Sequence, residues 1–242
     1  MIQREGRTYK VFIDFDGTIT TKDVGEEFIL KFGDKVKAYE IIKLWLNGEI
    51  TSIQTWERLC ETVKNPDLAK VDKFIEGIEI DPYLHEFIEY CNEKDIEIVV
   101  LSDGLDYYID KIMKKNNLDK LKVYSNHVEF ENGKCIPTFP YTDEECKLCA
   151  NCKRNHVINH SSDDDFTIYI GDGYSDACPV QYVDFVFAKK SLLKYCEKNR
   201  ITYFPFRDFS DVLKRVDELI NKKKLKKRHQ AVLKRLEVYK QG

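Results

Sequence analysis

Three short apolar runs, YKVFID (9–14), IEIVVLS (96–102) and FTIYIGD (166–172), each break off in a turn rich in aspartate, glycine and hydroxyl side chains. Consecutive Val, Ile and aromatic residues over six or seven positions are the pattern of a strand covered on both faces. Two further runs, LKVYS (121–125) and DFVFA (184–188), read the same way, and TYFPF (202–206) reads as a short strand. HVEFENGKCIP (127–137) reads as a hairpin, because Asn132-Gly133 suits a two-residue turn. Between the runs the period becomes helical, in PYLHEFIEYCNEK, LDYYIDKIMKKN, RNHVINH, SLLKYCEKN and DFSDVLKRVDELI. This alternation predicts an α/β fold, a doubly wound parallel sheet with helices on both faces.

One stretch breaks the alternation. AYEIIKLWLNG, ITSIQTWERLCETV and DLAKVDKFIEG follow one another with helical spacing and no strand between them. Asn47-Gly48, Asn65-Pro66 and Gly77 punctuate them. The expected organisation is an α/β core over residues 1–21 and 80–220, an inserted small α-helical cap over 22–79, and a basic C-terminal helix over 221–242.

The 242 residues suffice for a large core, and no apolar run approaches the roughly 18 residues of a membrane span. The first ten residues, MIQREGRTYK, have no apolar leader segment, so a cytoplasmic protein is expected. Residues 221–242 carry nine Lys or Arg and one Glu, a net +8, while the whole chain is −3. The remaining 220 residues therefore carry −11. An acidic body does not suit a nucleic-acid binder, whose basic surface belongs to the folded domain. The tail places Leu225, Val232, Leu236 and Tyr239 on one stripe, which suits either a solvated helix or one that meets an anionic surface. A monomer or homodimer is expected.

In an open α/β sheet, ligands bind outside the carboxyl ends of the strands. Here those ends carry Asp14-Phe15-Asp16-Gly17-Thr18, then Ser102-Asp103-Gly104, then Gly171-Asp172-Gly173-Tyr174-Ser175-Asp176. Any one of these is also what a solvated turn uses. Together they concentrate carboxylates that a divalent cation would have to compensate, and all-oxygen ligation favours Mg²⁺. Asp14 and Asp16 are two apart, so in an extended segment both face the same way.

In this order and at these strand ends, DFDGT, LSDG and GDGYSD resemble the first, second and fourth motifs of the haloacid dehalogenase superfamily of phosphatases. The resemblance spans about residues 10–210. It implies a Mg²⁺-dependent phosphomonoesterase that acts on a small phosphorylated metabolite through an aspartyl-phosphate. Asp14 is then the nucleophile and Asp16 the general acid and base. Thr18 and Ser102 bind phosphoryl oxygens, with backbone amides near Asp103 and Gly104 as further donors. Asp14, Asp172 and the Asp16 carbonyl hold Mg²⁺, and Asp176 supports that shell. The third motif is a lysine, for which Lys134, Lys147 and Lys153 are candidates.

CKLCANCK sets Cys146, Cys149 and Cys152 three apart, with His156 four residues on. This is a candidate structural Zn²⁺ set, or a reduced cysteine-rich loop. The other five cysteines read as small core residues. A cysteine-rich segment ending in Cys-Lys resembles one branch of the superfamily. That branch takes in the 2-hydroxy-3-keto-5-methylthiopentenyl-1-phosphate phosphatases and the phosphocholine/phosphoethanolamine and pyridoxal-phosphate phosphatases. There the lysine after the last cysteine is catalytic, which selects Lys153. The helical insertion is similar to the small cap of phosphoserine phosphatases. Asp23, Glu26 and Glu27 at its entrance suit a cationic or neutral substrate tail, or serve as charges on a helix N-terminus, with Asp23 the candidate contact. Trp45 and Trp56 suit the cap interior. A phosphotransferase or phosphomutase would use the same aspartate. A phosphate-sensing binding module would keep the fold without needing both Asp14 and Asp16.

Overall fold

The computed structural model describes residues 7–241. Its strands are β1 (Tyr9–Asp14), β2 (Glu97–Leu105), β3 (Lys122–Glu131), β4 (Lys134–Thr138), β5 (Phe166–Gly171), β6 (Phe185–Ala188) and β7 (Phe204–Pro205). Its helices are α1 (Val24–Phe32), α2 (Lys35–Leu46), α3 (Ser52–Thr62), α4 (Leu68–Glu76), α5 (Leu84–Glu93), α6 (Asp106–Lys115), α7 (Lys153–Asn159), α8 (Lys190–Lys198), α9 (Phe209–Ile220) and α10 (His229–Gln241). Among the described residues the sheet has seven strands in the order β4-β3-β2-β1-β5-β6-β7. The β1–β5, β5–β6 and β6–β7 pairs are parallel, and β3–β4 is antiparallel. The order of strands turns back at β1, so its carboxyl end and that of β5 flank the switch point where such folds bind ligands.

The chain divides into two compact units. Among the described residues the first holds 7–14, Ile80–Val100 and 153–241. Its centre is β1 against β5, where Val11, Phe12, Ile13, Ile168, Tyr169 and Ile170 are fully buried. Helices α5 and α9 join through Phe87 and Phe209, with ring centroids 5.2 Å apart. Burying such a ring contributes about 1.5–3 kcal/mol.

In the same unit the C-terminal helix starts at His229, eight residues later than expected, and it docks through Ala231 and Arg235 while Leu236 and Tyr239 of the expected stripe are exposed. Arg235 is only 2% exposed. It donates to the Tyr182 carbonyl at 2.6 Å and faces Asp184 at 3.5 Å. Asp184 also accepts from the Arg228 amide at 3.1 Å and from the Thr167 hydroxyl at 3.0 Å. Part of the tail's positive charge is thus spent on a buried carboxylate.

The second unit comprises Phe15–Glu79 and Leu101–Cys152. Three of its helices open on a side-chain acceptor at the first turn: Asp23 for α1, Asp34 for α2 and Asp67 for α4. Thr51 and Gln54 form a reciprocal capping box on α3. These four helices fill the segment expected to be a cap, but their compact unit is wider than residues 22–79. It includes the β3–β4 hairpin, because Lys64 bridges to Lys134 and the Asn65 amide donates to the Gly133 carbonyl at 2.7 Å. The hairpin turn has Asn132 at φ 51° and Gly133 at φ 75°, the two positive values a two-residue turn requires. LKVYS and HVEFE are one strand rather than two. The polar Ser-Asn-His interruption hid this, since Asn126 is buried and its side-chain amide donates to the Asp103 carbonyl at 2.7 Å.

Candidate active site

In the first unit, β1 delivers Asp14 at its last residue and β5 delivers Asp172 just after its last residue. Asp176 sits in the single helical turn Tyr174–Asp176, and Lys153 opens α7. All four are nearly or fully buried. Lys153 Nζ donates to Asp14 Oδ1 at 2.5 Å and to Asp176 Oδ1 at 2.7 Å, with Ser175 Oγ at 3.2 Å. Of the three candidate lysines, Lys153 is the one bonded to Asp14.

Asp176 works as a strut. Its Oδ1 also accepts from Tyr169 Oη at 2.6 Å, and its Oδ2 accepts from the amides of Asp172 and Gly173 at 3.1 and 3.0 Å. Gly171 has no side chain because a Cβ there would lie 2.4 Å from Asp176 Oδ2. Asp172 accepts from Lys190 Nζ at 2.7 Å, and Lys190 is itself half exposed.

Carboxylate oxygens of Asp14, Asp172 and Asp176 lie within 4.8 Å of one another, the one such ligand group among the described residues. Burial, then the Asp176 charge, push the Asp14 carboxyl well above its usual range. Burial also raises Asp172, against its bond to Lys190. Burial works to lower the Lys153 ammonium, but Asp14 and Asp176 outweigh it and hold it well above its usual range. The cluster thus carries more negative charge than its buried lysine offsets. Lys153 bonds to Asp14 through Oδ1, and Lys190 to Asp172 through Oδ2. Hard oxygen donors with surplus negative charge fit Mg²⁺.

In the second unit, Asp16 follows in the turn after β1, and its carboxylate is held at both ends. Oδ1 accepts from the amides of Val24 and Gly25 at 3.1 and 3.3 Å. Oδ2 accepts from Ser102 Oγ at 3.1 Å and Tyr108 Oη at 3.0 Å. Burial, then the charge of Asp23, push the Asp16 carboxyl up to about 7. Thr18 is fully buried, and its hydroxyl has no hydrogen-bond partner among the described residues. Ser102 is also fully buried, and its Oγ accepts from the Gly104 amide at 2.9 Å.

The structure gives other candidates structural partners. Asp103 accepts from the Ser52 hydroxyl at the start of α3 and from the Asn151 amide at 3.0 Å. It lies within β2, which runs on through Leu105, and so does not cap α6. Asp23 caps α1 through the Glu26 amide at 2.8 Å. Cys146 is exposed and Cys152 buried, and the four residues Cys146, Cys149, Cys152 and His156 do not gather into a ligand group among the described residues. The candidate Zn²⁺ site is not supported, because a run of cysteines along a chain does not itself converge their sulfurs. Tyr108, Tyr169, Asn151 and Lys190 escaped sequence reading. The partners of Tyr108 and Asn151 are tens of residues away, and Tyr108, two residues into a helix that follows LSDG, carried a positional hint.

Residues 9–202 match the family described as Putative Phosphatase. A relative from Bacillus mycoides (strain KBAB4), named 2-hydroxy-3-keto-5-methylthiopentenyl-1-phosphate phosphatase, is 34% identical over 217 residues, covering 88% of this chain and 98% of its own. A relative of the same name from Bacillus cereus (strain AH820) is 32% identical over the same span. Among solved structures, a phospho-aspartyl intermediate analogue of phosphoserine phosphatase aligns with TM-score 0.67 at 21% identity, over 86% of this chain and 99% of that one. No helix among the described residues is long and apolar enough to cross a membrane.

Proposed function

The chain belongs to this family of haloacid-dehalogenase-type phosphatases, and from that premise we propose that it is a Mg²⁺-dependent phosphomonoesterase working through an aspartyl-phosphate at Asp14. The observation that carries the reading is the buried Lys153 ammonium spanning Asp14 and Asp176 beside Asp172. A lysine so placed restrains the nucleophile and offsets charge on the phosphoryl group in transfer. Asp14 attacks phosphorus while the ester oxygen leaves with a proton from Asp16. Asp16, now a carboxylate, takes a proton from the water that attacks the acyl phosphate, which releases phosphate and restores Asp14. A carboxyl pushed up to about 7 suits both halves of that cycle near neutral pH. The unpartnered Thr18 hydroxyl and Ser102 Oγ donate to phosphoryl oxygens. Asp14, Asp172 and the Asp16 backbone carbonyl would hold the ion, with Asp176 bracing the loop that carries Asp172. Bound Mg²⁺ would supply charge neutralisation to the carboxylates and the phosphoryl oxygens.

The proposed substrate is a small phosphate ester with a neutral or cationic tail, of which the phosphate named for the Bacillus relatives is the first candidate. Phosphoserine is disfavoured, since its carboxylate needs a cation, and Lys22 at the cap entrance already pairs with Glu27 at 3.0 Å. A cytoplasmic location belongs to the same reading, as the place where such metabolites are made. The test is phosphate release from a metabolite panel, with and without Mg²⁺, for the wild type and Asp14→Asn. Mg²⁺-dependent release that Asp14→Asn abolishes is expected. Release that survives both Mg²⁺ removal and the substitution would overturn the reading.

A further inference from the structure

A buried tyrosine hydroxyl needs a reason. Phe would fill the space of Tyr108 against Phe15, whose ring centroid is 6.3 Å away, without burying a polar atom. The hydroxyl's partner is Asp16 Oδ2, at 3.0 Å. The surrounding backbone is cleared for it from two sides. A Cβ on Gly104 would lie 1.8 Å from Tyr108 Oη and 2.6 Å from Asp16 Oδ2. A Cβ on Gly25 would lie 3.1 Å from Tyr108 Oη and 3.0 Å from the Trp56 ring. Real Cβ atoms do not come within 1.8 Å of another atom, and 3.1 Å is tighter than ordinary packing, so Gly104 makes room for the hydroxyl and Gly25 gives it clearance.

We infer that Tyr108 is a positioning residue for Asp16: its hydroxyl, admitted by Gly104 and Gly25, fixes the carboxylate in the one orientation from which it serves the leaving oxygen. The inference rests on Asp16 being the proton donor, as proposed above. Two amides of α1 hold Oδ1, while Ser102 and Tyr108 hold Oδ2. Ser102 Oγ already accepts from Gly104 and would also serve a phosphoryl oxygen. When it turns to that oxygen, Tyr108 is the side-chain donor that stays on Oδ2. The carboxyl then keeps its rotamer through the transfer, and its free lone pair stays aimed outward. In this account Tyr108 never touches the substrate. Gly104 likewise has a duty besides its amide, which explains a glycine at a position that is neither a turn nor at positive φ.

The test compares phenyl phosphate with p-nitrophenyl phosphate under Mg²⁺. The two esters are alike in shape, but the phenol leaves poorly without a proton and the nitrophenol leaves well. Wild type, Tyr108→Phe, Gly104→Ala and Asp16→Asn are measured together, with thermal melts to show that each is folded. The ratio of kcat/KM for phenyl over p-nitrophenyl phosphate should fall about tenfold in Tyr108→Phe, the range expected for one hydrogen bond to a charged group. It should fall at least as far in Gly104→Ala, whose methyl displaces the hydroxyl, and further still in Asp16→Asn. A falling ratio in Asp16→Asn with a wild-type ratio in Tyr108→Phe would overturn the role of Tyr108 alone. A wild-type ratio in Asp16→Asn itself would overturn the general-acid reading on which it rests.

Discussion

Replacing Lys153 with Met keeps the stem of the side chain and removes its charge. The structure allows the consequence to be sized. Nζ stands 2.5 Å from Asp14 and 2.7 Å from Asp176, and the side chain is 2% exposed. At an effective dielectric of about 20 those contacts are worth roughly 7 and 6 kcal/mol of gross attraction. Most of this offsets the cost of dehydrating an ammonium, and removing one member of such a buried pair leaves a net loss of about 3–5 kcal/mol. That is a large part of a domain's total of about 5–15 kcal/mol. Lys190 cannot substitute, since it is half exposed and pairs with Asp172. Urea denaturation of Lys153→Met without Mg²⁺ should therefore show a midpoint drop equivalent to about 3–5 kcal/mol. Added Mg²⁺ should recover part of it, because the ion binds the folded carboxylates and supplies the missing charge. The folded variant should still have lost about 10²–10³-fold in kcat. A loss under about 1 kcal/mol, with no response to Mg²⁺, would refute the surplus negative charge assigned to this cluster.

Other expectations follow from single sites. Thr18→Val removes a buried hydroxyl that bonds to nothing among the described residues, so the melting temperature should hold or rise while kcat/KM falls about tenfold; a stability loss with full activity would contradict this. Arg235→Met strips the Tyr182 carbonyl and Asp184 of their partner and should cost about 3 kcal/mol by urea denaturation; a neutral result would show the tail helix to be undocked in solution. His127 is raised above its usual value chiefly by its bond to Asp106. Its stabilisation is thus full below the unfolded value, about 6.5, and is lost as pH rises through the higher folded value. The gap in melting temperature between wild type and His127→Gln should shrink from slightly acid to alkaline pH, and a gap that widened would reverse the sign argued here.

Local signals were legible in the chain. The three strand-end clusters and the Asn132-Gly133 turn rest on chemistry within a few residues. Placement of Lys153 at Asp14 followed from a resemblance, since 139 residues separate the two. What stayed hidden depends on distant pairing. Asp103 is tied by Ser52 and Asn151, each about fifty residues away, so its neighbours in LSDG gave no notice of that duty. The basic tail looked like a solvated helix because charge counts cannot show that Asp184 waits in the core for Arg235. The cysteine triplet left two readings open, since regular spacing does not show whether sulfurs converge. Tyr108 sat unremarked beside Tyr107, because only the folded backbone at Gly104 shows which of the two hydroxyls has room made for it.

The central claim is that phosphate passes through a covalent bond to Asp14. Asp16→Asn, given p-nitrophenyl phosphate and Mg²⁺, should form that bond and then break it slowly, since the good leaving group needs no acid while hydrolysis lacks its base. Borohydride added at that point reduces an acyl phosphate to an alcohol, which peptide mass spectrometry locates. The account predicts reduction at Asp14, in proportion to the burst of nitrophenol. A full burst with Asp14 unreduced, or reduction at a different carboxylate, would contradict it.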